Sequence, residues 1–368
     1  MELDIKRDDF LEALYWTQST VERRNTMPIL ANVLIEARNG EVWVTATDLE
    51  VGVRAKLSGE SKSEGKVTLN AKKLYEIVRE VSEERVQMRG LENERVEVKS
   101  GKSVFKMVGL DAQEFPGFPT FDGGNLFPLP AKVLKEMVDK TFFAVSADET
   151  RSNLNGTFME EAEGGKVRMV ATDGHRLAMI ERSVGSIGLT KGVILPRKGL
   201  GELRKLIEEV EDGVVSIGFK NNMGLFVKDN VELFMRLIES DFPDYGKVIP
   251  KDNVFEAKVD QRGFQQALRR VSILSSERYK GIKMEFKPGS MAIMANNPDL
   301  GEAVEELEME YNGQALSIGF NAKYLMEILH VLVEDSDVCI QLKDEVSPGL
   351  IRRECDQDYI YVVMPMRM

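Results

Sequence analysis

The 368-residue chain is poor in the side chains from which most catalytic centres are built: it has two histidines, two cysteines and two tryptophans, and only 7% of it is aromatic. Cys339 and Cys355 stand 16 apart and neither belongs to a CxxC pair. That spacing argues against a zinc cluster and fits incidental thiols in a reducing compartment. No stretch approaches the roughly 18 apolar residues of a membrane span. The amino-terminal MELDIKRDDF lacks the apolar core of a secretory leader, so the chain is expected in the cytosol. GxSxG and HExxH are both absent. GESKSEGKV, ending at Val67, comes nearest to a phosphate loop. It has one residue too many between its glycines, and Val67 stands where magnesium would need a hydroxyl, so it reads as a solvated turn. Positive charge is short as well: 49 Lys and Arg against 61 Asp and Glu leave a net charge of −12. Such a balance argues against a protein that coats nucleic acid with its whole surface, while leaving room for a local basic face.

The chain does have repetition. TATDLEVG follows Val44, VATDGHRLA follows Met169 and MANNPDLG follows Ile293, so that Ala46, Ala171 and Ala295 are separated by 125 and 124 residues. A second phrase follows each: NAKKLYEIV from Asn70, PRKGLGELR from Pro196 and NAKYLMEIL from Asn321. A period this long indicates repeated whole domains, since solenoid units run to about 20–50 residues. Three units of roughly 120 residues can each bury a core. Phe115-Pro116 and Phe242-Pro243 mark the ends of the first two, Phe115 to Pro130 and Ser240 to Pro250 read as linkers, and the domains fall at 1–122, 123–245 and 246–368.

Each unit opens with an amphipathic helix, expected over Phe10 to Val21, Val133 to Phe143 and Phe264 to Leu274. In the third, Phe264, Leu268 and Val271 form one apolar stripe and Arg262, Gln266, Arg269 and Arg270 the polar side. A second helix follows each second phrase, on Leu74, Ile77, Val78 and Val81, on Leu200, Leu203, Ile207 and Val210, and on Leu325, Ile328, Leu329 and Leu332. The middle one carries Arg197, Lys198, Arg204 and Lys205 on its solvent side. GEVWVTA, KVRMVA and SMAIMA alternate as half-buried strands do. The expected class is α+β, with two helices packed on antiparallel sheets in each of three similar domains.

ATDGHRL could pair Asp173 with His175 as an acid–base couple, but nothing in the chain nominates a nucleophile beside them. Asp173 and Gly174 are better read as a capped turn, with His175, Arg176 and Leu177 on a surface beside it. At the carboxy terminus, Tyr359, Tyr361 and Val363 can complete a sheet, and Met364, Pro365 and Met366 continue as a flexible apolar rim. On these residues alone, a triplicated enzyme and an acidic peptide-binding adaptor both stay open.

TMPILANVLIEA, TATDLEV, ATDGHRLA, VILPRKGLGEL, DFPDY, GFNAKYL and YVVMPMR together resemble the bacterial DNA polymerase III beta subunit family, the sliding clamps, over the whole chain. The resemblance implies a non-catalytic processivity factor without cofactor or metal: a head-to-tail homodimeric ring around duplex DNA, cytoplasmic and nucleoid-associated. It further implies partners that dock through short peptides, namely the polymerase III alpha subunit, the clamp loader, other polymerases, ligase and mismatch-repair proteins. Arg24, Arg197 and Lys198 match DNA-contacting positions, Arg151 belongs to a neighbouring contact loop that departs from the family, and Lys73, Arg204 and Arg269 extend the basic stripes to which loose phosphate contact is assigned. Ser152 and Asn153 stand where some members carry aromatic rings. The family's peptide groove carries over onto Leu154, Thr172, Gly174, His175, Arg176, Leu177, Pro243, Val248, Asn321, Tyr324, Val346, Val362, Val363, Met364, Pro365, Met366 and Arg367, with departures at Lys247, Tyr279 and Pro348. Phe105 and Met107 are expected to meet Ile273 and Leu274 across the dimer contact.

Overall fold

The computed structural model describes residues 1–21, 27–119, 121, 125–208, 212–332 and 337–367. Arg24 and Val210 therefore lie outside the described residues. The chain packs as two compact units, Met1–Lys132 with Lys198–Leu237, and Val133–Arg197 with Ile238–Met368.

Among the described residues there are six α-helices: α1 Arg7–Gln18, α2 Ala71–Glu80, α3 Ala131–Phe142, α4 Arg197–Leu206, α5 Gln261–Val271 and α6 Ala322–Val331. α1 starts three residues before the expected Phe10, where Asp8 and Asp9 in its first turn favour the positive end of the helix dipole, and it stops at Gln18 instead of Val21. α5 ends at Val271, and Ser272–Leu274 tighten into a 3₁₀ turn. Side-chain caps set the starts of α2, α5 and α6: Asn70 accepts from the Lys73 amide, Asp260 from Gly263 and Asn321 from Lys323. Their apolar stripes are buried, with Leu74, Val78, Phe264, Leu268, Leu325 and Leu329 each at most 1% exposed.

In the first unit a five-stranded sheet runs in the order Gly59–Ser63, Glu2–Lys6, Arg85–Gly90, Arg95–Ser100, Ser103–Val108. GESKSEGKV forms strand where a solvated turn is expected. Gly59–Ser63 pairs antiparallel with Glu2–Ile5, and Gly65–Asn70 is a second strand. An edge strand satisfies one side of its backbone from its neighbour and can carry polar side chains throughout, which hides it from a search for apolar alternation. The eight-stranded sheet runs Phe127–Pro130, Val214–Lys220, Met223–Lys228, Val231–Arg236, Val51–Leu57, Glu41–Thr47, Asn32–Arg38, Gly65–Asn70. The tail of the expected first linker is thus a strand, Phe127–Pro130, paired with Val214–Ile217.

The second unit repeats the plan. Its nine-stranded sheet runs Val193–Pro196, Gly156–Ala162, Lys166–Thr172, Arg176–Ser183, Asp356–Val363, Gly349–Arg353, Asp337–Leu342, Phe255–Asp260, Glu310–Tyr311, and its four-stranded sheet runs Gly301–Glu308, Ser290–Asn297, Gly281–Lys287, Leu316–Asn321. One rule organises both large sheets. In the first unit the strand after TATD, Val51–Leu57, pairs with Val231–Arg236, and in the second the strand after ATDG, Arg176–Ser183, pairs with Asp356–Val363. Among the described residues their third counterparts, Gly301–Glu308 and Ser103–Val108, are sheet edges with one neighbour each.

Candidate functional site: an apolar groove and basic helix faces

The ATDGHRL loop is built by its own polar side chains. Asp173 Oδ1 accepts from the amides of His175 (2.9 Å) and Arg176 (3.1 Å), while Thr172 Oγ1 donates to the Arg176 carbonyl (2.5 Å) and accepts from the Gly174 amide (3.1 Å). Gly174 takes φ +89°, the left-handed conformation that glycine enters without strain. Asp173 is therefore spent on backbone amides and on Arg176 Nε (3.0 Å), and is not an orienting partner for the His175 ring. The same loop occurs in the first unit, where Asp48 Oδ1 accepts from Glu50 and Val51 and Thr47 from Leu49.

Arg176 is 6% exposed and fully engaged. It bonds Asp173, Glu327 of α6 and the Phe143 carbonyl (2.5 Å), and its guanidinium lies 4.4 Å from the Tyr324 ring centroid. Burial opposes its charge, yet the charges of Tyr361 and Glu327 around it raise its pKa. On this fixed base sits a cavity of about 120 Å³ lined by Leu154, Thr172, Gly174, Arg176, Leu177, Pro243, Tyr245, Val248, Val362 and Met364. Of the lining residues, Leu177 and Val362 pack with Val170, Phe158, Phe242 and Ile249. The backbone sets the rim: the Met364 amide donates to the His175 carbonyl (2.9 Å) and the Met366 amide to Gly319 (2.8 Å). A broader recess of about 790 Å³ shares Val248 and Met364 with the cavity and is lined further by Lys247, Lys251, Asn253 and Pro348.

Nine of the residues assigned to the groove from sequence line this cavity. Of the rest, His175 stacks on Tyr324 with ring centroids 6.5 Å apart, Asn321 caps α6, Val363 is buried, Pro365 and Met366 are half-buried, and Val346 and Arg367 are exposed. Tyr245, within DFPDY, also lines the cavity, and the sequence alone does not single it out. Its hydroxyl donates to Glu160 and accepts from Arg168 Nη1 (2.6 Å), and burial, with Glu160 beside it, pushes its pKa up to about 12. That hydrogen-bonded ring forms a neutral wall.

Three family models match in order: the N-terminal domain of the DNA polymerase III beta subunit at residues 1–119, its central domain at 128–244 and its C-terminal domain at 246–367. The chain belongs to the DNA polymerase III beta subunit family. It is a DNA sliding clamp for polymerase III, a processivity factor and not a catalytic subunit. The beta sliding clamps of Pseudomonas aeruginosa and Escherichia coli K12 are 36% and 35% identical to it over the full length of both chains. Among solved structures, the clamp of Bartonella birtlesii bound to griselimycin superposes with a TM-score of 0.94 at 37% identity, and that of Caulobacter crescentus with 0.95 at 35%, each covering all of both chains. The architecture is the three-domain clamp fold, with two helices on antiparallel sheets per domain.

The clamp's basic candidates differ in their surroundings. Lys73 on α2 is exposed and pairs with Glu76 at 2.8 Å. Arg204 and Arg269 are exposed on α4 and α5. Arg151 is exposed and leans on the groove loop, reaching the Asp173 carbonyl at 3.4 Å. Lys198 pairs with Asp48, and Arg197 donates to the Val145 carbonyl (3.0 Å) with its guanidinium 5.2 Å from the Phe142 centroid. The last two thus hold local structure as well. Phe105 and Met107 are half-buried on their edge strand, and Ile273 is 74% exposed on the turn after α5, next to the Gly301–Glu308 strand. Among the described residues no helix is long and apolar enough to cross a membrane.

Proposed function

We propose that two copies close head to tail into a ring around duplex DNA and that the groove beside ATDGHRL holds short extended peptides of the proteins the ring tethers. The groove carries this reading: an apolar cavity with a fixed polar base and a methionine rim suits a short segment with one or two apolar anchors. The polymerase III alpha subunit, the loader, other polymerases, ligase and mismatch-repair proteins are the proposed owners of such segments. The strand rule supports closure. Two of three equivalent edge pairs are satisfied within the chain, and the third pair supplies one edge for each side of a copy, a heterologous contact that two copies can close. Phe105 and Met107 then meet Ile273 and Leu274. Three repeats, 1–122, 123–245 and 246–368, present Lys73, Arg151, Arg197, Lys198, Arg204 and Arg269, together with Arg24, to phosphates without reading bases. The protein works in the cytoplasm, at the nucleoid.

A topological tether keeps a weakly bound polymerase at high effective concentration on its template. Loading onto nicked circular DNA with a loader and ATP tests the reading. Protein that survives high salt on the circle and leaves once the circle is cut supports encirclement. Release from both forms at one salt concentration refutes it.

A further inference from the structure

Two Phe-Pro turns in this chain dock alike and then diverge. Phe115-Pro116 and Phe242-Pro243 each lead to an aromatic three positions after the phenylalanine, Phe118 in one and Tyr245 in the other. Phe115 packs in a cluster with Leu34, and Phe242 stacks on Phe158 at 5.0 Å. Leu34 faces Thr45 and Phe158 faces Val170, the residues just before Ala46 and Ala171, so the two phenylalanines sit at equivalent places. Ala46 faces Val53 and Ala171 faces Ala178, which makes Gly52 the counterpart of Leu177; their cross-strand neighbours, Phe234 and Val362, correspond as well. In the first unit Phe118 covers that pair: a Cβ on Gly52 would lie 3.2 Å from its ring, and Phe234 meets it edge-on at 6.2 Å. In the second unit Leu177 and Val362 line an open cavity, with Tyr245 as one of its walls.

The two rings are held differently. Arg168, three residues before Ala171, faces Glu160, and the Tyr245 hydroxyl donates to Glu160 and accepts from Arg168 Nη1 (2.6 Å). Trp43, three residues before Ala46, faces Glu36 in the same way. Here Glu36 pairs with Lys66 at 3.0 Å, the Trp43 indole donates to Glu41 at 3.1 Å, and Phe118 has no hydroxyl to offer either of them. Arg54 holds Phe118 instead, its guanidinium 4.7 Å from that ring centroid and 4.4 Å from that of Trp43. We propose that the tethered hydroxyl of Tyr245 keeps the groove open by holding the ring off Leu177 and Val362, which makes Tyr245 a positioning residue for the partner peptide, a role that rests on the groove holding such a peptide as proposed above. The hollow measures about 120 Å³, on the order of the space one aromatic ring fills, so a released ring closes it.

Tyr245→Phe and Tyr245→Ala test the tether. In the first, Arg168 keeps Glu160 (3.0 Å) and Glu181 (2.6 Å), so the fold is retained, which scanning calorimetry verifies. The probe is a fluorescein-labelled peptide of about six residues with adjacent leucine and phenylalanine anchors, followed by stopped-flow polarisation. Only the open fraction of a closing groove accepts the peptide, so the loss falls on association. For Tyr245→Phe the association rate should drop roughly tenfold, the scale of one charge-assisted hydrogen bond, while dissociation stays within about twofold of the parent. A lost contact would instead quicken dissociation. Tyr245→Ala removes the ring that closes, so association should return to the parental rate although the wall is gone. A Tyr245→Phe protein that associates as fast as the parent shows that Leu177 alone keeps the ring off, and overturns the proposal. An alanine variant as slow to associate as the phenylalanine one overturns it too. A parent protein that binds no such peptide overturns the groove reading together with the tether.

Discussion

Replacing Arg182 by methionine removes the cation that ties α3 to the last strand of the second unit. The guanidinium bonds Glu136 at 2.9 and 2.6 Å, Asp356 at 3.2 and 2.7 Å and the Glu181 carbonyl at 2.7 Å. Without it, two carboxylates share Lys140, which sits 2.7 Å from Glu136 and 3.0 Å from Asp356. Breaking a fully buried pair costs about 3–5 kcal/mol and an exposed one about 0–1. The side chains here are 19% (Arg182), 35% (Glu136) and 19% (Asp356) exposed, so about 2 kcal/mol at neutral pH is expected, with methionine keeping the packing of the stem. For a unit of about 200 residues that lowers the melting temperature by roughly 4–8 °C. pH identifies the cause. The Arg182 hydrogen bond, against burial, holds Glu136 below its ordinary 4.5; burial pushes Asp356 up, but Arg182 and Lys140 more than offset it and hold that group below its ordinary 3.8. Groups depressed in the folded state stabilise fully above their unfolded values and lose that contribution as pH falls through the folded ones. The gap between parent and variant should therefore be full above about pH 5 and narrow steadily towards about pH 3. Scanning calorimetry at several pH values measures it. A gap that is absent at pH 7, or as large at pH 3.5 as at pH 7, refutes the reasoning.

Three other outcomes are expected. Met364→Ala should weaken binding of a short partner peptide roughly tenfold, measured by fluorescence polarisation, with the melting temperature unchanged because the side chain is half-exposed on the rim. Arg269→Gln on the exposed face of α5 should leave peptide binding intact and flatten the salt dependence of DNA association by about one phosphate contact, a slope change of about 0.9. Cys355, exposed, should react at once with a thiol reagent at pH 8. Cys339, whose pKa is pushed up to about 12 by burial and by Glu256, should react only on unfolding, as mass spectrometry would report.

The repeats were legible because they are written in short runs, and the groove residues came with the family resemblance that such runs carry. Ala46, Ala171 and Ala295 sit in alternating strands whose period survives in the sequence, and Thr172 to Leu177 and Val362 to Met364 are two contiguous phrases that pair backbone to backbone. The cross-repeat staples were not legible. Arg182 meets Asp356 across 174 positions, and each charge taken alone reads as a solvated one. Tyr245 is hidden likewise, since its role depends on Arg168 and Glu160 from two other strands. Arg197 shows the opposite error: a basic residue at a helix start reads as free, while its guanidinium is bound to the Val145 carbonyl. Gly59–Ser63 became a strand through pairing with Glu2–Ile5, with no apolar pattern to betray it.

The Asx loops of the first two repeats had different fates. Where Leu177 and Val362 leave a hollow in the second unit, the first has Gly52, onto which the Phe118 ring settles (a Cβ there would lie 3.2 Å from it), and Phe118 in turn meets Phe234 edge-on at 6.2 Å under Arg54 at 4.7 Å. The position that is hollow in the second unit is thus filled in the first by the chain's own phenylalanine. On the function proposed above, two enzymes whose tails seek the hollow of the second unit in one copy compete for it, and the tail that lets go more slowly holds it longer.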